Sequence, residues 1–383
     1  MKRGRNSRLL ALCLANVIVF SFLFLTNAGP QNSEAKIKAP LAIQVSRALG
    51  QALREEAPDT AFFHLATDIL SSPIARGKVA LSTSVDLSSY LPPVSSQFHL
   101  DCVAWAVGYY YKTFQEKKKR GWDVSLPEHQ FSPSFLYNQC NGGVDKGSGM
   151  SSAFKVLLQQ GCASLATFPY NPNDCSAWPS PQAYLEAMQY RVAELYYLPQ
   201  DYTQNGVNAL RQLLLENEMA VFAIGIYDNF LRMYKESDPN YCLPSLSDSV
   251  YYCDHAVAVV GFDDLRITAD GLGAFKCVNS AGNSWGDAGY FWISYQLFKT
   301  QQVYHSPIYY ARNETNYVPR LITNVNLSHD RSGTVFLSVL LGDTSAPILI
   351  KEWNRELIYF SPATAPRPFP NYDLPIDITE FVP

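Results

Sequence analysis

Residues 95–106 read SSQFHLDCVAWA and residues 253–264 read CDHAVAVVGFDD. In the first string Cys102 stands where a helix begins. Asp101 is placed to act as its N-cap, and the helical run extends to about Lys118, closed by the charged Lys117–Arg120. The free N–H groups and partial positive charge of such an end favour a thiolate. A buried structural cysteine is the alternative reading. In the second string His255 opens an apolar strand, from which an imidazole can reach a neighbouring half of the domain. Asn279 ends the strand Ala274–Val278, where its amide can fix the tautomer of that imidazole, although an Asn at a strand end is also a common turn residue. Gln97, five positions before Cys102, offers one oxyanion donor, and the backbone N–H of Cys102 offers another. A thiol, a base, an orienting amide and oxyanion donors are the parts of nucleophilic catalysis.

Around these strings the pattern is helices first and strands later. Helices are predicted over Ser152–Gln160, ended by Gly161, and over Val207–Glu216. Strands are predicted over Ala220–Ile226, Ala256–Phe262, Ala274–Val278 and Gly289–Tyr295, all rich in Val, Ile, Phe and Tyr. This order indicates an α+β domain in two halves. From about Val318 the texture changes. Leu321–Leu327, Thr334–Leu341, Ile348–Trp353 and Leu357–Phe360 read as short strands, and Pro362, Pro366, Pro368 and Pro370 mark an irregular tail. The expected organisation is therefore an export signal over 1–28, a spacer or short pro-segment over 29–85 with helical spacing at Leu41–Glu56, a catalytic domain over 86–312, and a small all-β domain over 318–383.

The 383 residues are 47% hydrophobic and 17% charged, with a net charge of −4. So large an apolar share forms a sizeable core, and the acidity argues against a nucleic-acid partner. Lys2, Arg3, Arg5 and Arg8 precede an uncharged apolar stretch from Leu9 to Leu25, followed by the small residues Thr26 and Ala28. This reads as an export signal cleaved after Ala28, the alternative being an uncleaved membrane anchor through residues 9–25. The expected location is the periplasm, the cell surface or the medium. Export permits disulfides. The eight cysteines are 13, 102, 140, 162, 175, 242, 253 and 277. With no CxxC pair among them, no metal site is expected.

The order Gln97, Cys102, His255, Asn279 and their local strings resemble the papain family of cysteine peptidases. Further matching strings are FSPSFLYNQCNGG at 131–143, GSGMSSAFKVLLQQGC at 147–162, FPYNPNDC at 168–175 and FKCVNSAGNSWGDAGYFWISY at 275–295. The resemblance covers residues 86 to 298 and is nearest to bacterial members. It implies a two-lobed fold, with a helical left lobe carrying Cys102, a β-rich right lobe carrying His255 and Asn279, and a polypeptide substrate in the cleft between. Ser148 aligns with the family's backbone-binding glycine. Met150, Asp254 and Ala256 align with the pocket for the residue two before the cleaved bond, and Trp285 is retained beside the site. The resemblance implies a bridge between Cys140 and Cys175. Cys242 and Cys253 would close a short loop before His255, while Cys162 and Cys277 align with buried apolar positions as free thiols. No cofactor is implied.

The chain departs from the family pattern in places. The spacing from Gln97 to Cys102 is one position shorter than usual, and Phe98-His99-Leu100-Asp101 replaces a turn containing Gly and Ser. Asp101 sets a negative charge beside the nucleophile, which opposes a thiolate. Ala281 stands where a Trp normally shields the Asn–His bond, and the bridge that normally braces the nucleophile turn has no cysteine before Cys102. The expected activity is endopeptidase hydrolysis. The alternatives are a member that binds without cutting and a transpeptidase working from the same acyl-enzyme.

Overall fold

The computed structural model describes residues 17–23, 58–72, 82–233, 238–243, 250–301, 304–314, 316–343, 346–353 and 366–382. The helix expected at Leu41–Glu56 and the strand expected at Leu357–Phe360 lie outside these residues. The chain begins with β1 (Val17–Leu23), β2 (Phe63–Leu65), α1 (Thr67–Ser71) and β3 (Ser84–Asp86). Three contiguous stretches, Cys102–Ala104, Trp105–Lys112 and Thr113–Arg120, form one helix, α2, whose middle is wound as a π-helix. Gly121, at φ +69°, ends it in the left-handed region that glycine reaches without strain. Lys112, fully buried in the π-helical stretch, donates to Glu116 Oε1 at 2.8 Å and to Asn313 Oδ1 at 2.6 Å. That pairing satisfies a charge that would be costly to bury alone and ties α2 to a distant strand.

The helical lobe continues with α3 (Pro133–Cys140), α4 (Met150–Gln159) and α5 (Pro181–Ala187). α3 and α5 start alike. A serine hydroxyl (Ser132 or Ser180) accepts the N–H three residues on, and a proline fills the first helical position. α4 begins at Met150, two residues earlier than the sequence pattern indicates. It stops at Gly161, where a side chain would collide with the Ala187 carbonyl.

The remaining elements are β4 (Val192–Leu198), α6 (Gln204–Leu215), β5 (Ala220–Tyr227), α7 (Asp228–Arg232), β6 (Asn240–Tyr241), β7 (Tyr251–Thr268), β8 (Gly271–Val278), β9 (Tyr290–Ser294), α8 (Tyr295–Phe298) and β10 (Ile308–Asn313). They build a sheet in the order β2-β4-β10-β5-β7-β8-β9-β6, with β3 paired to β7. The expected strand Ala256–Phe262 is the centre of the much longer β7. β5, buried along nearly its whole length, reads as a continuous apolar run because α6 and the helical lobe cover it.

Residues 58–72 and 82–86 pack with the main sheet. β2 runs parallel to β4, β3 is antiparallel to β7, and Phe63 and Ile69 lie in the main core. The C-terminal segment is all-β as expected, with β11 (Ile322–Val325), β12 (Val335–Asp343), β13 (Ala346–Glu352) and β14 (Leu374–Asp377). It has no separate core, however. Trp353 lies 6.3 Å from Trp178 and 6.1 Å from Tyr184 of the helical lobe, and Val325, Leu337 and Leu374 join the same core. The expected irregular tail includes β14, which pairs with β11. β1, within the apolar N-terminal stretch, pairs antiparallel with β12. Among the described residues no helix is long and apolar enough to cross a membrane.

Because Trp353 is 2% exposed and wedged between the two regions, Trp353→Ala is expected to cost about 3–5 kcal/mol. Urea unfolding should remain a single transition. Separate melting of the C-terminal strands would show that the shared core is not cooperative.

Candidate active site

Cys102 is the first residue of α2 and is completely buried. Its Sγ accepts the backbone N–H of Ala256 at 3.4 Å, so the nucleophile turn meets β7 one residue past His255. The β7 register sets His255 opposite Ile224 of β5 and Ala258 opposite Val278 of β8. Asn279 follows Val278 directly, which brings its Oδ1 to 2.8 Å from His255 Nε2. The same oxygen accepts the N–H of Ser280 at 2.8 Å, which orients the amide so that its oxygen faces the imidazole. With His255 Nε2 donating to this oxygen, Nδ1 is the nitrogen that exchanges a proton with a thiol.

Burial pushes the Cys102 thiol well above its usual range, while the Ala256 and Val103 N–H groups act in the opposite direction. The helix end alone therefore does not produce a resting thiolate, and deprotonation depends on the imidazole. Asp101 makes no side-chain cap to α2, which corrects the sequence expectation. Its carboxyl is enclosed beside Tyr170, and burial pushes its pKa up to about 7. Below that pH the group is largely neutral, so the charge that would oppose a thiolate is muted.

Gln97 is buried and joined to both halves of the site. Its N–H donates to Ser280 O at 2.9 Å, its Oε1 accepts from Ser280 Oγ at 2.5 Å, and its Nε2 donates to His99 O at 2.9 Å. The expected oxyanion donor is thus held in place with one amide hydrogen engaged by the turn.

The expected substrate-binding residues are mostly interior. Met150 and Ser148 are buried at the start of α4, and Ala256 is buried against the thiol. Trp285, expected beside the site among the substrate-binding residues, packs in the core. It is fully buried, with its ring 4.9 Å from Phe230 and 5.4 Å from Phe291. Phe230 in turn lies 6.2 Å from the His255 ring. Sequence reasoning missed Phe230, a single aromatic in a short helix, which supplies apolar cover to the imidazole. Asp254 is likewise engaged, its carboxylate ion-paired with His305 Nδ1, with both groups nearly buried.

The four cysteines expected in bridges, Cys140, Cys175, Cys242 and Cys253, are free thiols in the structure, as are Cys162 and Cys277. The nucleophile turn is braced by an ion pair. His99 Nδ1 lies 3.3 Å from Asp145 Oδ2, and its Nε2 donates to Asn171 O at 3.0 Å. Asp145 Oδ1 also accepts Leu100 N–H and the Tyr137 hydroxyl, each at 2.7 Å. The bond to Asp145 raises the His99 pKa against its burial. For Asp145, burial acts upward, but the bonds from His99, Leu100 and Tyr137 outweigh it and hold the carboxyl below its usual range. The turn that lacks a covalent bridge is therefore tied to the loop leading into α4.

Residues 102–311, more than half of the chain, match the family model described as papain family cysteine protease. A cysteine protease of Blomia tropicalis is 27% identical over 156 residues, covering 40% of this chain and 41% of that protein. A peptidase C1-like protein of Acanthamoeba polyphaga mimivirus is 26% identical over 205 residues, covering 51% and 61% respectively. The chain spans about half the length of these curated relatives. Among solved structures, xylellain, a cysteine protease from Xylella fastidiosa, superposes with a TM-score of 0.57 at 22% identity, over 70% of this chain and 96% of that one. This likeness shows a shared fold.

The brace and the buried acid predict how stability varies with pH. Asp101 has a folded pKa of about 7, above the ~3.9 of an unfolded Asp, so its burial opposes folding increasingly as pH rises from ~4 through that value. His99 has a raised folded pKa, so its contribution is complete below ~6.5 and is lost as pH rises through the folded value. Asp145 has a lowered pKa, so its contribution is present above ~3.9 and is lost only in stronger acid. Urea stability is therefore expected to be highest in mild acid and to fall towards pH 8. Asp101→Asn should flatten much of that fall, and an unchanged profile in this variant would exclude the buried carboxyl as its source.

Proposed function

We propose that this chain, which belongs to the papain family of cysteine proteases, is an endopeptidase that cuts through a Cys102 thioester. The observation carrying this reading is the junction at which Cys102 Sγ meets β7 while His255 is bonded to Asn279. Cys102 attacks the amide carbonyl as its proton passes to His255 Nδ1. The backbone N–H of Cys102 and the Gln97 amide hold the oxyanion. His255 then protonates the departing amine, and water, activated by the same imidazole, releases the acid. Asn279 keeps the ring in the tautomer and orientation that both steps need. The reacting groups are buried together, which excludes competing water. Apolar Met150 and Ala256 favour a hydrophobic side chain two residues before the cut. The basic Lys2–Arg8 and the apolar run after them support export to the periplasm, cell surface or medium.

A second reading, binding without cleavage, is favoured by two observations: burial raises the Cys102 thiol, and the Gln97 amide is engaged with His99 O. Labelling with an epoxysuccinyl-peptide inhibitor, read by intact mass, separates the two. The peptidase reading expects one adduct that is absent from Cys102→Ala. A folded protein whose free Cys102 takes no label would be a binding member. With a peptide substrate, His255→Ala is expected to lower kcat by at least ~10²–10⁴. Gln97→Ala should lower kcat by ~10²–10³ with little change in KM.

A further inference from the structure

We propose that His99, Asp145 and Cys175 form a site for one transition-metal ion of the zinc type, set against the turn that carries the nucleophile. The three residues come from separate segments, and their ligand atoms all lie within 4.8 Å of one another. Bound to zinc at ~2.0–2.3 Å, such atoms stand about 3.5 Å apart, so a small contraction of the cluster completes the geometry. Asp145 and Cys175 both lie in irregular loops, which can move by that amount. One imidazole, one carboxylate and one thiolate leave a fourth position for water, and this donor set favours zinc or cobalt over calcium or magnesium.

The outer contacts are those of a ligand set. His99 Nε2 donates to the Asn171 carbonyl at 3.0 Å, which orients the ring so that Nδ1 faces Asp145 and becomes a ligand once the proton shared with that carboxylate has left. Asp145 Oδ1 is held by Leu100 N–H and the Tyr137 hydroxyl, so Oδ2 is the oxygen turned towards His99. Cys175 is a partly exposed free thiol, which gives the ion a path from solvent. Arg367 approaches Cys175 from the C-terminal segment, stacked over Trp178 with Nε donating to Ser176 O at 3.0 Å, and its charge acts against the ion. Binding exchanges protons for the ion. Zn²⁺ displaces the thiol proton of Cys175 and any proton shared by His99 and Asp145, and both leave to solvent. The ion pair that braces the turn is replaced by coordinate bonds spanning His99, the loop before α4 and the loop before α5. The occupied site positions the turn rather than taking part in the reaction.

The test uses the full chain carrying Cys102→Ala, so that the nucleophile itself binds no metal. Co²⁺ is the spectroscopic probe and Zn²⁺ the competitor. The expected result is one Co²⁺ per chain, with thiolate-to-cobalt charge-transfer absorption and the intense visible bands of a four-coordinate ion, displaced by Zn²⁺, and a higher Tm with either metal. Cys175→Ser should abolish the charge-transfer band, whereas Cys253→Ser should leave it. Tyr137→Phe should weaken binding by roughly 10–100-fold, as loss of an outer-sphere partner does. A band that survives Cys175→Ser overturns the proposal, as does a titration with no thiolate band. Peptide mapping that finds Cys175 bonded to Cys140 in the purified chain overturns it equally.

Discussion

The register of β7 between β5 and β8 is the constraint on which the site depends. Side chains alternate along a strand, so a slip of one residue would turn His255 to the opposite face and carry Ala256 away from the thiol. The pairing of Ala258 with Val278 places Asn279 at the end of β8, within reach of the imidazole. The pairing of Ala223 with Ala256 leaves the Ala256 N–H for Cys102 Sγ. A buried apolar sheet specifies this register strongly, because most of β5 and the centre of β7 lie inside the core. The chemistry is thus held by the rigid part of the fold, and the thiol is brought to it at a helix end.

Around that register the protein uses noncovalent ties. The turn before the nucleophile is pinned by the His99–Asp145 pair and by Leu100, Gln97 is locked to Ser280, and Asp254 is paired with His305. The His99–Asp145 tie is strong only when its partners hold the right charge. This couples the geometry next to Cys102 to pH in a way that a covalent bridge would not. The enclosed Asp101 adds to the same dependence.

Family membership and the α+β class were legible, and Cys102, His255 and Asn279 stood out as candidates, because each sits in a local string with its own pattern: a helix start, the mouth of an apolar strand, and a strand end. The roles of Trp285, Asp254 and Phe230 were not. Trp285 reads the same in sequence whether it lines a cleft or props Phe230, and only the packing of α7 against β7 and β9 decides between them. The packing of residues 58–86 was not legible because β2 and β3 are only three residues long. They acquire strand character from their partners β4 and β7, and their own composition does not show it. Trp353 looked like part of a separate β-unit, and its ring stack with Trp178 places it in the common core.

The sequence by itself determined the candidate reacting groups, their order along the chain and the class of fold, since these follow from short-range patterns of polarity, helix starts and strand alternation. The tertiary structure alone decided what surrounds those groups. It set Asp101 in an enclosed pocket beside Tyr170, and it set Phe230 over the imidazole. It also gathered His99, Asp145 and Cys175 from three segments into one cluster. Burial and the convergence of distant side chains are properties of packing, and no local pattern of residues encodes them.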